Sequence, residues 1–288
     1  MSCVLLLVLA GCKPKILLGP VTVASGNSTE QLLAGKLTVL ALRLNGFQVN
    51  DRTGYSTTAE ARAALLAGSV DMGWFYTGET WTREMGHDLP ITDAEQLAQA
   101  VAAEDERRGI VWLNPSPYVL RLGLVMREAD LGKTHLNLIS DLAAYAAHQQ
   151  PLVLCAPEEL ISRFAGVQGL IRAYGLDFSA ERVQTWPITD GYQALLRGTC
   201  DCALGYSADV VGNPALRFLE DDKAFFPVSG FALAMRQEVD ALYPDMQQVL
   251  EEVSSWLTPS IINALVRQVE QVKLPPEIVA QKFIKLQK

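Results

Sequence analysis

Short apolar segments rich in β-branched residues alternate with amphipathic helical segments along most of the chain, and that alternation leaves few architectures open. Val21 and Val23, Phe47-Gln48-Val49, Val70 to Trp74, Ile110 to Trp112, Leu122 to Met126, Leu152 to Cys155, Ala203 to Tyr206 and Phe231 to Met235 read as strands. Between them, Thr58 to Ala67, Asp93 to Arg108, a helix capped at Ser140-Asp141, Glu158 to Phe164, Val167 to Tyr174 and Thr189 to Arg197 read as helices. From Pro244 onward the pattern is helical, broken at Thr258-Pro259 and Leu274-Pro275-Pro276. Strands and helices in this order predict an α/β protein with helices covering mostly parallel sheets. The stiff segment Asn114-Pro115-Ser116-Pro117 is placed to carry the chain from one lobe to another. A return crossing is expected near Val211 to Pro214 or at Phe226-Pro227, so that the C-terminal helices pack on the first lobe. Two crossings between lobes make a hinge, and the cleft between them is a natural ligand site.

The first strand runs straight into a helix start. Gly26-Asn27-Ser28 breaks the strand, Ser28 or Thr29 can cap the helix, and Leu32, Leu33, Leu37, Leu40 and Leu44 follow as its apolar face. Such a turn leaves backbone N–H groups pointing above the sheet, where an anionic group of a ligand is favoured.

At 288 residues with 49% hydrophobic residues, the chain is long enough to bury one large or two medium domains. A net charge of −8 with no basic stripe argues against a nucleic-acid surface. Val4 to Ala10 is too short to span a bilayer and ends in Leu9-Ala10-Gly11-Cys12. That tetrad looks like a bacterial lipoprotein box, with Cys12 as the lipidated residue and residues 1–12 as the signal, although no Lys or Arg precedes the apolar run. The other reading is a buried N-terminal strand. Of the remaining cysteines, Cys200 and Cys202 flank Asp201 and point to one face, so they are poorly placed to bond each other. With Cys155 they form an odd, sparse set that reads as small buried hydrophobes rather than a disulfide framework.

The segments Ala24 to Gln31, Ala64 to Asp71 with Tyr76-Thr77-Gly78, Gly169 to Leu176, Tyr192 to Leu195 and Leu219 to Pro227 carry a resemblance in their order and spacing. From about Ile16 to its C-terminus the chain resembles the substrate-binding proteins of osmoprotectant ABC importers, those for glycine betaine, choline, carnitine and proline betaine. The resemblance implies a type II periplasmic-binding-protein fold closing on a small zwitterion or cation. It implies an extracytoplasmic monomer held to the membrane by a lipid anchor, serving an ABC permease and needing no cofactor. The corresponding domain division is residues 13–118 with 217–288 as the first lobe and 119–216 as the second.

A quaternary ammonium donates no hydrogen bond, so aromatic faces must hold it, whereas a carboxylate wants arginine or a helix N-terminus. By position, Tyr76 and Tyr206 match cage tyrosines of the family, Tyr206 within Tyr206-Ser207-Ala208-Asp209, and Arg163 matches an arginine that meets the ligand carboxylate. Asn27, Ser28 and Thr29 supply the helix N-terminus, and Asp209 is a further candidate. Tyrosines packed at sheet ends are the alternative reading for Tyr76 and Tyr206.

The departures matter as much. Leu122 stands where a cage tyrosine is expected, and Val228-Ser229-Gly230-Phe231 replaces a Pro-Tyr-Tyr segment. Glu79 ends a stretch that relatives finish with threonine, Trp74 stands where many have proline, and Gly26 replaces a polar loop residue. Tyr118, Trp74 or Phe231 are the neighbours available to refill the cage. Glu79 reads either as a ligand acid or as a solvated acid at a helix start. With Glu79, Arg163 and Arg121, an amino-acid-like or amine-bearing zwitterion competes with a betaine as ligand.

Enzyme signatures are weak. His87, His135 and His148 are far apart, no metal-protease spacing or phosphate-cradling glycine loop occurs, and Gly205 to Asp209 only faintly imitates a nucleophile elbow. No DNA-binding or signalling module accompanies the two-lobe pattern, which sets aside a sensor.

Overall fold

The computed structural model describes residues 18–87, 91–148, 151–162, 166–211 and 213–287. Cys12 and its signal, and Arg163, lie outside the described residues. Ten strands are present among those described: β1 (Leu18–Ser25), β2 (Phe47–Thr53), β3 (Met72–Tyr76), β4 (Ile110–Trp112), β5 (Val119–Arg127), β6 (Leu154–Ala156), β7 (Val183–Thr185), β8 (Cys202–Tyr206), β9 (Leu216–Phe218) and β10 (Val228–Arg236).

They hydrogen-bond in the order β2-β1-β3-β10-β5-β8-β6-β7, with β4 on β10 and β9 on β5. Two strands link the lobes. In β10, Val228 to Gly230 pair with Val119 to Arg121 of β5, while Phe231 to Met235 pair with β3. In β5, Leu122 to Met126 pair instead with β8. Each long strand therefore begins in the connection and ends in a different sheet, which is the two-crossover hinge of a type II binding-protein fold. Within the lobes β1 runs parallel to β2 and β3, and β6 parallel to β7 and β8, while both crossing strands run antiparallel to their neighbours.

The apolar residues collect accordingly. One core joins Val23, Leu37, Met72 and Leu233 with Leu250, Ile262 and Val279, so the C-terminal helices do pack on the first sheet. A second joins Leu124, Leu154, Leu170, Leu204, Leu219 and Phe226. Inside the first lobe, Arg62 is fully buried and pairs with buried Asp105 through both carboxylate oxygens at 2.7 Å. Its guanidinium lies 5.9 Å from the ring centres of both Phe75 and Trp112.

The cysteines correct the sequence reading. Cys155, on β6, is bonded to Cys200, just before β8, with Cα atoms 5.9 Å apart. Cys202 is a buried free thiol whose pKa burial pushes up. Cys200 does not bond its near neighbour; the parallel pairing of β6 with β8 brings it a partner 45 residues away.

Candidate functional site

The ends of β3 and β8, the start of the Thr29–Leu44 helix and the crossing strands surround a cavity of about 1000 Å³. Ser28 is the helix cap, its hydroxyl accepting from the Gln31 N–H at 3.4 Å. That cap turns the first helical turn toward the cavity, so Glu30 and Gln31 line it. A Cβ at Gly26 would sit 2.5 Å from the Gln31 Oε1, so a larger residue there would shift the Gln31 side chain.

Glu30 is the acid that sequence reading placed in the helix but not in the site. It is 9% exposed and accepts a 2.8 Å hydrogen bond from the Tyr76 hydroxyl. Burial raises its pKa above the ordinary carboxylate value, opposed by its backbone hydrogen bond and by Tyr76 and Ser28. Burial likewise lifts Tyr76 well up, which keeps its hydroxyl a donor to Glu30.

The second lobe mirrors this with Asp209. Tyr192 donates to Asp209 at 2.7 Å and accepts the Tyr206 backbone N–H at 3.0 Å. Only glycine at 205 leaves room for that hydroxyl, since a Cβ would lie 2.0 Å from it. Burial raises the Asp209 pKa, with the two hydrogen bonds acting against it. Glu79 is also raised by burial, opposed by Arg83 at 3.4 Å. It lines the cavity from the Thr77–Glu79 helix with 29% of its side chain exposed.

Of the residues predicted from sequence, Ser28, Tyr76, Glu79, Tyr206 and Asp209 line the cavity together. Others are placed elsewhere. Trp74 is fully buried, its Nε1 donating to Thr38 at 2.8 Å and its ring packed 5.0 Å from Phe231. Tyr118 and Phe231 are buried, the Phe231 ring 4.7 Å from that of Tyr76 and 6.0 Å from that of Tyr118, and none of these three side chains is in the cavity lining. Trp74 and Phe231 lie on strand segments buried on both faces, so their rings pack in the first core. Asn27 is exposed and the Thr29 hydroxyl bonds Glu270; neither is in the cavity lining. The tryptophans that do line the cavity are Trp81 and Trp186, which sequence reading missed. Leu122 lines it too, at the position where the cage tyrosine is lost.

Arg83 reaches across the cleft to Glu159 at 3.7 Å. The Ser207–Val211 helix touches the Pro259–Glu270 helix of the first lobe, so the two lobes meet on both sides of the cavity.

Residues 19–286 match the family model described as the substrate binding domain of ABC-type glycine betaine transport system. A glycine-betaine-binding protein of Pseudomonas aeruginosa is 28% identical over 264 residues, covering 89% of this chain and 84% of that protein. An ergothioneine transport permease/ergothioneine binding protein of Helicobacter pylori is 25% identical over 267 residues; the match covers 92% of this chain but 47% of that longer protein. A solved structure of a glycine betaine/carnitine/choline ABC transporter protein superposes with a TM-score of 0.80 at 21% identity, covering 93% of this chain and 97% of the other. The hinge strands, the cavity between lobes and a match over nearly the whole length agree: the chain belongs to the family of substrate-binding domains of ABC-type glycine betaine transport systems.

Proposed function

We propose that this domain captures a small solute with a quaternary-ammonium or protonated-amine head between its lobes, outside the cytoplasm, and delivers it to an ABC permease. The supporting observation is the convergence of Glu30, Glu79 and Asp209 with Tyr76 and Tyr206 on one cavity. Three carboxylates largely withdrawn from water favour a cation, and two tyrosine rings, one from each lobe, offer the faces that such a head needs. Arg163, carried over from the family, is proposed for the carboxylate end of a zwitterion; its neighbour Ser162 lines the cavity. The abundance of acceptors, Ser28 and Ser229 included, favours an amine-bearing zwitterion as the second reading.

The lobes are proposed to divide at the crossing strands, with the return at Phe226-Pro227, because Leu219 and Phe226 belong to the second core. The Cys155–Cys200 disulfide supports an oxidising compartment. No helix among the described residues is long and apolar enough to cross a membrane. The Leu9-Ala10-Gly11-Cys12 tetrad supports membrane attachment through lipid on Cys12, and Cys12→Ser is expected to move the folded protein into the soluble fraction. Retention on salt-washed membranes would contradict that.

A thermal-shift screen of betaines, choline, carnitine, amino acids and polyamines tests the ligand class, since a ligand that binds only the native state raises the melting temperature. Against the best ligand, Tyr76→Ala is expected to cost about 1–2 kcal/mol of binding, roughly 5–30-fold, and Tyr76→Phe much less. Unchanged calorimetric affinity for Tyr76→Ala would remove Tyr76 from the site.

The raised acids also give a pH dependence with a definite sign. Glu30, Glu79 and Asp209 hold protons above the ordinary carboxylate range, and a cation binds their ionised forms. Affinity for a permanently charged ligand is therefore expected to rise as pH climbs above the ordinary carboxylate range, with protons released on binding. The ligand-free protein moves the other way: its native state holds more protons than the unfolded chain, so these groups' contribution to stability is lost as pH climbs through their raised pKa values. Titrations in buffers of different ionisation heat measure the proton release, and a pH-independent affinity would contradict it.

A further inference from the structure

The cavity is also lined by large apolar side chains that the head reading does not use. Trp81 sits in the Thr80–Glu84 turn, and Leu97 in the Ala94–Glu106 helix. Leu160 in the Glu158–Ile161 helix and Trp186 after β7 belong to the other lobe. All four line the cavity, and none lies on the elements that carry Glu30, Tyr76 or Asp209.

An ion pair crosses between the lobes beside these elements. Arg83 is in the same turn as Trp81, and Glu159 adjoins Leu160; their 3.7 Å approach sets the turn directly against the second lobe. Residues of both lobes therefore bound the space between them. Trp186 is tied to that lobe by its backbone N–H, which donates to Ala156 at 3.1 Å.

Trp81 is also held in place beforehand. Its ring stacks on His87 at 3.6 Å with planes 18° apart, and His87 Nε2 is 2.8 Å from Glu104. Arg108 holds Glu104 from its far side at 3.0 Å. An aromatic surface fixed in this way binds without the ordering cost of a mobile side chain.

The volume has the same implication. About 1000 Å³ is at the top of the range of roughly 300–1,000 Å³ typical of sites for drug-sized ligands, far more than a simple betaine fills. Resting on the cationic-head reading above, we propose that Trp81 and Trp186 form a slot for a flat, uncharged ring carried by the same ligand, so that the preferred substrate is a ring-bearing ammonium compound. Indole surfaces on the cavity lining favour a planar ring over a flexible chain because offset stacking adds to the area that burial removes from water.

Two probes with one head separate the slot from the head site: N,N,N-trimethylalanine and N,N,N-trimethylphenylalanine, titrated calorimetrically. The wild-type protein is expected to bind the phenyl probe about tenfold more tightly. Trp81→Ala and Trp186→Ala are each expected to bring that ratio toward one through loss on the phenyl probe, and Trp81→Phe to keep most of it. The alanine probe reports in each variant that the protein is folded and its head site intact. Binding of both probes with no phenyl preference, or a preference that survives both alanine variants, would overturn the slot and leave the head reading standing. Binding of neither probe by the wild-type protein would overturn both.

Discussion

Asp105→Ala is expected to destabilise the protein by about 3–5 kcal/mol, because it strands a guanidinium that has nowhere else to go. Arg62 is fully buried, and its Nε and Nη1 already have no hydrogen-bond partner among the described residues. Asp105 supplies both of its strong bonds and also accepts from Trp112 Nε1 at 2.7 Å. Removing the acid leaves a buried charge with only the faces of Phe75 and Trp112 beside it. The double variant Arg62→Met/Asp105→Leu is expected to recover most of the loss, since a buried ion pair is offset largely by its own desolvation. Urea denaturation of the two single variants and the double variant measures the coupling. A loss under 1 kcal/mol for Asp105→Ala, on the order of an exposed ion pair, would contradict this account of the pair.

The Cys155→Ala/Cys200→Ala double variant comes next in size, at about 2–4 kcal/mol. The bond closes a loop spanning 45 positions between two strands that β-pairing alone must otherwise bring together. Melting with and without reductant checks this, and the buried Cys202 thiol is expected to react only after unfolding. Identical melting curves would mean that the two thiols are not bonded in the folded protein.

These two features also mark where sequence reading stops. Alternating strands and helices, the Val167–Tyr174 helix and the breaks at Pro259 and Pro276 were legible because periodicity and capping are local. The length of β5 was not: its first three residues are strand only because β10 lies beside them. The disulfide depends on which strands become neighbours, and spacing along the chain drew attention to Cys200 and Cys202 instead.

At the site the same division holds. Tyr76 and Tyr206 end strands, and strand ends face the cleft in open α/β sheets. Trp74 shares a strand with Tyr76 but lies two residues deeper, where Thr38 takes its indole N–H. Every residue of β3 is buried, so no alternation distinguished a cavity residue from a core one. Trp81 and Trp186 lie in a π-helical turn and a loop, where no periodic signal exists. The clue was the residue type, since large aromatics just beyond strand ends are well placed to line a cleft. Glu30 was visible as a first-turn acid, but only the Tyr76 hydrogen bond shows that it faces the cavity.

The central claim is that this cavity recognises positive charge. Its most direct test is a calorimetric comparison of glycine betaine and choline with their uncharged-head carbon isosteres, 3,3-dimethylbutanoate and 3,3-dimethylbutan-1-ol. Shape and apolar area are nearly the same within each pair, so the difference reports the charge on the head. The account predicts binding of at least one ammonium compound and a loss of about 30-fold or more for its isostere, the equivalent of about 2 kcal/mol from cation–π contact and the facing carboxylates. Equal affinity within both pairs, or binding of neither ammonium compound, would contradict it.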